Sequence, residues 1–249
     1  MRLVSLCPSL TELLFDLGVG DQVVGRTKFC IHPADGVGTI EKVGGTKDPK
    51  IDRIIALKPD GVFMNEEENR LEDARAIEAA GIRVHSSLPR TPGETAAMVR
   101  SIAAAVGREG AGESIARDIE ARADRVRRAA LGKVPVRFAY LIWREPWMTV
   151  NADTFVSTLL ELPGGENVFA ARGDRYPTVT TDEIATTNPD RVFLSTEPFP
   201  FKDKHAVELA SLTALPTDRF RIVDGELLSW HGSRTPRGID YAERVIRDS

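Results

Sequence analysis

The sequence is poor in the residues that mark several common classes of protein. Its 249 residues include only two cysteines, Cys7 and Cys30. Two cysteines are too few for a disulfide framework, and the sequence leaves open whether they pair. No apolar run approaches the roughly 18 residues that a membrane-spanning helix needs. The net charge is −4, so the chain lacks the basic excess of a nucleic-acid-binding domain.

The sequence also lacks the short motifs that accompany common catalytic sites. It contains no G-x-S-x-G, no phosphate-binding loop and no G-x-G-x-x-G, and its four histidines show no H-E-x-x-H spacing. The composition is otherwise that of a globular protein, 42% hydrophobic and 28% charged. The common catalytic templates therefore fit the sequence poorly, and these motifs predict no catalytic residues and no resident cofactor.

The beginning of the sequence leaves the compartment open. MRLVSLCPS leads directly into a predicted strand, without the basic and apolar segments of a secretory signal. Either the protein is cytoplasmic and Met1 is its native start, or it is periplasmic or lipid-anchored and a leader has been removed.

A long helix is predicted near the middle of the chain, over residues 109–131. Ile115, Ile119, Arg122 and Val126 recur on one helical face, and the other faces are charged. Gly132 is placed to end the helix in a left-handed cap. Some twenty helical residues reach about 30 Å, enough to run the length of a small domain.

Strands and helices alternate on both sides of this helix, which predicts mostly parallel α/β sheets. The two sides also repeat each other. DRIIALKPDGVFM at 52–64 and DEIATTNPDRVFL at 182–194 share six residues in register at an offset of 130. We therefore predict two similar α/β lobes with helices on both faces of each sheet: residues 1–108 form one lobe, 109–132 a rigid linking helix, and 133–249 the second lobe.

Two lobes predict a ligand cleft between them, beyond the carboxyl ends of the strands. All three tryptophans of the chain, Trp143, Trp147 and Trp230, fall at such ends, as does Asn65. Aromatic residues are only 6% of the sequence, so their concentration there indicates a large planar ligand. The alternative is that Trp143 and Trp147 are core residues flanking an edge strand.

Titratable residues at the same strand ends are further candidates. No metal site formed directly by the protein is predicted, but His32 and His231 are candidates for axial contacts to a chelated metal. The offset of 130 places Glu67 opposite Glu197, with Glu66 beside the first of them. A carboxylate after the same strand of each lobe predicts a docking surface for a basic partner.

The chain resembles the substrate-binding proteins of ABC importers for cobalamin and ferric siderophores, the class with a helical backbone between two lobes. The resemblance spans nearly the whole chain, and the cobalamin-binding members are the most similar. It rests on segments of the first half, SLCPSLTELLFDLG, HPAD, VGG and IIALKPDGVF, and on the run from PWMTVNADTFVSTLLELPGGENVFA to TVTTDEIATTNPDRVFL in the second.

The resemblance implies a receptor, here expected to be a monomer, that holds a metal chelate between its lobes and performs no chemistry. It implies that aromatic residues matching Trp147 and Tyr176 stack on the ligand. The loop from Phe29 through Cys30 to His32, and the segment with Trp230 and His231, would also line the ligand. Glu67 and Glu197 would dock on an ABC permease.

Two other functions remain open. The same fold could serve a cytoplasmic binder of a related ligand that has no transport partner. A chelatase is the enzymatic alternative, because tetrapyrrole chelatases also have two similar α/β lobes; His231 and Glu226 would then be the working pair.

Overall fold

The computed structural model describes residues 1–248, as an alternation of strands and helices. The strands are β1 Leu3–Ser5, β2 Val23–Arg26, β3 Glu41–Lys42, β4 Gly61–Asn65, β5 Arg83–Ser87, β6 Val136–Trp143, β7 Met148–Thr149, β8 Gly165–Asn167, β9 Arg191–Ser195 and β10 Phe220–Val223. The helices are α1 Pro8–Asp16, α2 Ile51–Ala56, α3 Leu71–Ala79, α4 Pro92–Ala105, α5 Glu109–Ala130, α6 Phe155–Glu161, α7 Thr181–Thr187, α8 Asp203–Thr213, α9 Gly225–Ser229 and α10 Thr235–Arg247.

The chain divides into two compact units. Unit 1 contains Met1–Pro89, Gly93–Asp118 and His231–Arg234; unit 2 contains Arg90–Pro92, Ile119–Trp230 and Thr235 onward. Helix α5 therefore contributes its first part to unit 1 and its second part to unit 2. The sequence predicted three contiguous segments. It did not predict that residues 231–234 return to unit 1. That return depends on side-chain pairing over more than 200 positions.

Each unit is built on a mostly parallel sheet, as predicted. In unit 1 the strand order is β3-β2-β1-β4-β5, and every pair is parallel. In unit 2 the order is β10-β9-β6-β7, with β8 also paired to β6, and only β7 runs antiparallel. Strands β3, β7 and β8 have two or three residues each, too few for a repeating pattern to show in the sequence.

The apolar cores of the two units have equivalent members. In unit 1, Val62 and Met64 of β4 pack with Ile54 of α2. In unit 2, the residues 130 positions later, Val192, Leu194 and Ile184, pack together in the same way. The residues that alternate with these along the strands are buried too, so both faces of each sheet are covered; they include Leu3, Phe63, Phe138, Tyr140 and Phe193.

The Lys-Pro-Asp and Asn-Pro-Asp turns of the repeat share one geometry. Lys58 and Asn188 both adopt left-handed backbone angles, with φ of 47° and 44°. The aspartate then ties the turn to the start of the central strand. The carboxylate of Asp60 accepts the backbone N–H of Arg2 at 2.7 Å, and that of Asp190 accepts the backbone N–H of Arg137 at 2.8 Å. The repeat therefore reflects the same strand-entry clamp in both units.

Helix α5 confirms the long helix predicted from the sequence. Ile119 and Val126 are buried on one face, and Gly132 follows with φ of +74°. The charged faces form ion pairs with neighbouring helices. Within unit 1 Glu113 binds Arg100 of α4 at 2.6 Å, and within unit 2 Arg125 binds Asp240 of α10 at 2.8 Å.

Candidate functional site

Unit 2 carries a chain of four aromatic rings beyond the carboxyl ends of β6 and β9. The ring of Trp143 meets that of Phe199 edge-on, with centroids 5.8 Å apart. Phe199 meets Phe201 at 4.8 Å, and Phe201 stacks on Trp147 at 6.1 Å with an interplanar angle of 13°. We call these four residues the aromatic group. Trp143 is its most accessible member, at 40% exposure.

An ion pair and a buried histidine hold the aromatic group in place. The guanidinium of Arg144 lies 5.7 Å from the ring centroid of Trp147 and binds both carboxylate oxygens of Glu208, at 3.1 and 2.7 Å. The buried ring of His205 packs on Phe199 and Phe201, and its Nδ1 accepts the backbone N–H of Lys202 at 3.0 Å. Burial lowers the pKa of His205, so its ring stays neutral and able to accept this bond.

The structure brings Tyr176 to the strand that follows Trp147. The backbone N–H of Thr149 donates to the carbonyl of Pro177 at 3.0 Å, and that of Val179 donates to the carbonyl of Trp147 at 2.9 Å. Tyr176 itself is half-buried. The sequence analysis missed Phe199 and Phe201, although Phe-Pro-Phe is visible at 199–201, a few residues after a buried strand.

A buried arginine shapes the predicted binding loop of unit 1. Arg26 donates to the carbonyls of Val37, Thr27 and Cys30 at 2.9 to 3.1 Å. The loop that it holds leaves Phe29 half exposed, at 50%, and the next histidine, His32, half-buried.

The prediction that Cys30 lines the ligand is contradicted by its position. Its side chain has no exposed surface, and its sulfur lies 3.1 Å from the hydroxyl of Thr27 and 3.9 Å from the carbonyl of Ser5. The loop turns the small apolar thiol into the lobe, between residues that a ligand on the surface would not reach.

Asn65 and His231 are buried, and their side chains bond to other residues of unit 1. Asn65 is 2% and His231 6% exposed. The imidazole Nε2 accepts the side-chain amide of Asn65 at 2.7 Å, and Nδ1 lies 3.0 Å from the hydroxyl of Ser9. Both ring nitrogens are therefore in use, so in this conformation His231 can supply neither an axial metal contact nor the acid–base group of a chelatase.

The hydrogen bonds around Asn65 determine the tautomer of His231. The side-chain oxygen of Asn65 accepts the backbone N–H groups of Glu67 and Glu68, at 3.0 and 3.2 Å. Its NH₂ therefore faces His231, whose Nε2 must be the acceptor and whose Nδ1 must carry the proton. Burial lowers the pKa of His231, in agreement with a neutral ring.

A buried ion pair fastens the same segment to helix α1. Arg234 donates to both carboxylate oxygens of Glu12, at 2.7 and 2.8 Å. Both side chains are about nine-tenths buried, with exposures of 10% and 11%. His231 and Arg234 thus attach residues 231–234 to unit 1 at two points, Ser9–Asn65 and Glu12.

In unit 2, Trp230 is also mostly buried, at 9% exposure, and its indole N–H donates to a carboxylate oxygen of Glu197 at 2.9 Å. Trp230 thus has little surface for the ligand contact predicted for it. The predicted docking residue Glu197 is half-buried, and its backbone N–H donates to the hydroxyl of Ser195 at 3.2 Å.

The predicted docking residues of unit 1 lie in one exposed turn. Glu66 and Glu68 are exposed and Glu67 is half-buried. The ammonium group of Lys47 donates to the carbonyl of Glu67 at 2.5 Å, which holds the turn from outside while Asn65 holds it from inside. We call residues 66–68 the acidic turn.

No helix within residues 1–248 is both long and apolar enough to cross a membrane. In the same residues, no three or more His, Cys, Asp or Glu side chains are grouped so that they could hold a metal ion.

Comparisons with known proteins agree with this architecture. A family model described as "Periplasmic binding protein" matches residues 3–224. A sequence relative, the Vitamin B12-binding protein of Vibrio cholerae serotype O1, is 24% identical over 244 residues. That alignment covers 98% of this chain and 87% of the relative.

Two solved structures share the fold over the whole chain. The periplasmic vitamin B12 binding protein BtuF of Vibrio cholerae has a TM-score of 0.85 at 22% identity, covering 100% of this chain and 98% of that one. The periplasmic heme-binding protein RhuT from Roseiflexus sp. RS-1, in apo form, has a TM-score of 0.84 at 23% identity, covering 99% of both chains.

Proposed function

The chain belongs to the periplasmic binding protein family, and we propose that it captures a metal chelate, a corrinoid such as cobalamin or a ferric siderophore, for an ABC importer. The family is one of binding proteins, and the sequence relative is named for vitamin B12. The accessible edge of the aromatic group, at Trp143, carries the proposal. The ring of Trp143, held by the packed rings behind it and by the Arg144–Glu208 pair at Trp147, offers an exposed and rigid aromatic surface that suits a macrocycle.

Ligand titration of the purified protein tests this function. Cyanocobalamin, cobinamide, hemin and a ferric hydroxamate siderophore are each titrated, with tryptophan fluorescence and calorimetry as independent signals. We expect saturable binding of at least one of them with no chemical change in the ligand. Failure of all four to bind would overturn the proposed ligand class, and conversion of a ligand to product would overturn the receptor function.

Substitution of Trp143 tests the aromatic group. Trp143→Ala removes the accessible ring, and we expect the Kd for the bound chelate to rise at least about tenfold, as for an interface anchor. Leu212→Ala is the matched control, because Leu212 is another exposed apolar side chain of unit 2, at 54%, but lies outside the aromatic group. An unchanged Kd in Trp143→Ala would show that the ligand binds elsewhere.

Phe29, His32, Trp147 and Tyr176 remain proposed ligand contacts. Each is examined by alanine substitution with the same titrations. His32→Ala carries a further spectroscopic readout: if His32 contacts the metal axially, the visible absorption bands of the bound chelate shift relative to the wild type. Unchanged bands would eliminate that role.

Delivery to a permease is the second half of the proposal, with Glu66, Glu67 and Glu197 as the docking residues. Glu67→Gln and Glu197→Gln remove charge while keeping oxygen acceptors, including the acceptor of the Trp230 indole. In cells carrying the cognate importer we expect the double variant to lose uptake and keep its ligand affinity. Glu72→Gln, at an exposed position on α3, is the control. Lost affinity in the double variant would contradict a docking role.

Delivery to an importer requires the protein to act outside the cytoplasm, as a periplasmic or lipid-anchored receptor, and we propose that it acts there as a monomer. Fractionation of the native cells tests the compartment, and sedimentation of the purified protein tests the oligomeric state. Recovery in the cytoplasm alone would favour a binder without a transport partner.

A further inference from the structure

Asn65 joins two features of unit 1 that are far apart in the sequence. Its NH₂ group donates to the carbonyl of Ser87 at 2.9 Å and to Nε2 of His231 at 2.7 Å. Its side-chain oxygen accepts the backbone N–H groups of Glu67 and Glu68. One buried amide is thus bonded both to residue 231 and to the acidic turn.

Unit 2 contains an equivalent of one part of this arrangement. Ser195 lies 130 residues after Asn65, and its hydroxyl oxygen accepts the backbone N–H of Glu197, which lies 130 residues after Glu67. The hydroxyl of Tyr140, inside the same sheet, donates to Ser195 at 2.9 Å. A side chain at the strand end therefore organises the acidic residue in both units, but the residue that fixes Asn65 comes from the far end of the chain.

We propose that Asn65 is a positioning residue through which His231 sets the conformation of the acidic turn. His231 immediately follows Trp230, so a change in the segment that carries both reaches the turn through a single amide. If Nε2 of His231 leaves Asn65, the amide loses one of its two acceptors and rotates more easily against its remaining bonds to Ser87 and the acidic turn. Rotation withdraws its oxygen from the N–H groups of Glu67 and Glu68.

The chemistry of the amide determines which kind of group can occupy the position of Nε2. The oxygen of Asn65 is committed to two backbone donors, so only an acceptor can face its NH₂ group at the position of Nε2. A neutral His231 with its proton on Nδ1 meets this requirement. The ¹⁵N shifts of the His231 ring in the ligand-free protein should therefore show a protonated Nδ1 and an unprotonated Nε2; the opposite tautomer would contradict the proposal.

Hydrogen exchange in the ligand-free protein tests the coupling independently of any ligand. In His231→Ala we expect the amides of Glu67 and Glu68 to exchange about fivefold faster, the effect of losing roughly one net hydrogen bond. His231→Gln offers a carbonyl oxygen where Nε2 was and should restore slow exchange. Ser9→Ala, which removes the hydroxyl beside Nδ1 of His231, should leave both amides nearly unchanged.

The core amides of β4 distinguish positioning from general destabilisation. Exchange at Val62 and Phe63 should remain slow in all three variants. If His231→Ala accelerates exchange there as much as in the acidic turn, or leaves Glu67 and Glu68 unchanged, the proposal is overturned. Equal acceleration in His231→Gln and His231→Ala would show that ring packing, and not the acceptor, is responsible.

Asn65→Ser supplies a further test by giving unit 1 the residue of unit 2. A serine hydroxyl is long enough in unit 2 to accept the backbone N–H two residues later, but it lacks the NH₂ group that reaches His231. We therefore expect the Glu67 amide to stay protected and to become insensitive to substitution of His231. Continued sensitivity in the Asn65→Ser, His231→Ala double variant would refute the route through Asn65.

The link to partner docking rests on the proposed function, and its test can fail separately. With cyanocobalamin or hemin as the probe, we expect exchange at Glu67 and Glu68 to change on binding in the wild type and not in Asn65→Ser. Absence of binding by both probes and by cobinamide and the ferric hydroxamate siderophore would count against the proposed function, while the ligand-free experiments still decide the coupling. If a probe binds the wild type and exchange at Glu67 and Glu68 does not change, ligand binding does not act on the turn through Asn65. His231 and Asn65 then hold the turn independently of the ligand.

Discussion

The surroundings of the two cysteines determine the reactivity of their thiols. Both cysteines are free and buried. Burial, as the largest cause, raises the pKa of Cys7 to about 12, and burial also raises the pKa of Cys30. Only the thiolate reacts readily with disulfide reagents. Burial therefore slows the reaction of both side chains in two ways, because it blocks the reagent and keeps the thiol protonated.

We therefore expect no fast reaction with a disulfide reagent at pH 8 in the native protein. After denaturation in guanidinium, two thiols per chain should react. Rapid reaction of one thiol without denaturant would show that the Cys7 or Cys30 environment opens in solution, and a total below two would reveal a disulfide.

The Glu12–Arg234 pair is the strongest candidate for a large single-residue effect on stability. Glu12→Gln leaves the Arg234 guanidinium buried without its carboxylate, and we expect the free energy of unfolding to fall by about 3 kcal/mol. Urea denaturation measures the change. Asp124→Asn is the control, because its ion pair with Arg127 is exposed, at 56% and 60%, and should be worth under about 1 kcal/mol.

Replacing both partners separates burial of a lone charge from loss of packing. In a Glu12→Leu, Arg234→Met double variant no buried charge is left, so much of the lost stability should return. A double variant as unstable as Glu12→Gln would show that the hydrogen bonds themselves, and not the stranded charge, stabilise this segment.

At the scale of elements, the paired turns before β4 and β9 allow a matched comparison. Left-handed angles cost a non-glycine residue about 1–2 kcal/mol, less for asparagine than for lysine. We expect Lys58→Gly to raise the free energy of unfolding by up to about 1 kcal/mol. Asn188→Gly should gain less or lose stability, because the Asn188 side chain also accepts a hydrogen bond from Arg219 at 2.6 Å.

Thermal and urea unfolding of the two variants measure this difference. A loss of stability in Lys58→Gly would contradict left-handed strain at that position. Equal gains in both variants would show that the Arg219 contact contributes nothing measurable.

Elements with a long or repeated pattern could be predicted from the sequence, and short ones could not. The stripe of Ile119 and Val126 and the glycine at 132 fix α5 locally, and the repeat fixes α2–β4 and α7–β9. Strands β3 and β8 and helix α9 depend on neighbours already in place. Helix α1 begins at Pro8 with no side-chain cap, although Ser9 and Thr11 near its start are of residue types that cap helices. The hydroxyl of Thr11 instead donates to Ser5 and the carbonyl of Cys7.

The candidate site also contains residues that could be predicted from the sequence and residues that could not. Trp143 and Trp147 were predicted because tryptophan is rare here and both follow a strand. The burial of Cys30, Asn65 and His231 was not foreseeable, because it depends on partners far along the chain: Asn65 and His231 are separated by 166 positions. Local sequence patterns do not predict such pairs.

For the whole molecule, three histidines predict a dependence of stability on pH. Burial lowers the pKa of His85, His205 and His231 from 6.5. Below pH 6.5 the unfolded chain therefore binds more protons than the native one, and stability falls as the pH falls. Each histidine contributes at most about 1.4 kcal/mol per pH unit.

Urea denaturation between pH 7.5 and 5.5 measures this dependence. Glu161 acts in the opposite direction, because partial burial raises its pKa in the native state. The histidine share is therefore taken as the difference between the wild type and His231→Gln, in which the slope should be shallower. Identical slopes in the two proteins would show that His231 is not kept neutral by the fold.

The return of residues 231–234 to unit 1 has a consequence for biosynthesis. A ribosome releases the chain from its N-terminus, and α1, β4 and the acidic turn emerge long before His231 and Arg234. Until then Glu12 has no guanidinium and Asn65 has no imidazole, so a nascent unit 1 carries an unmatched charge and an unfixed amide. The N-terminal half of this protein therefore cannot form these two contacts until residues 231–234 have left the ribosome, and a chain truncated before residue 231 should be recognised by chaperones and proteases as unfinished.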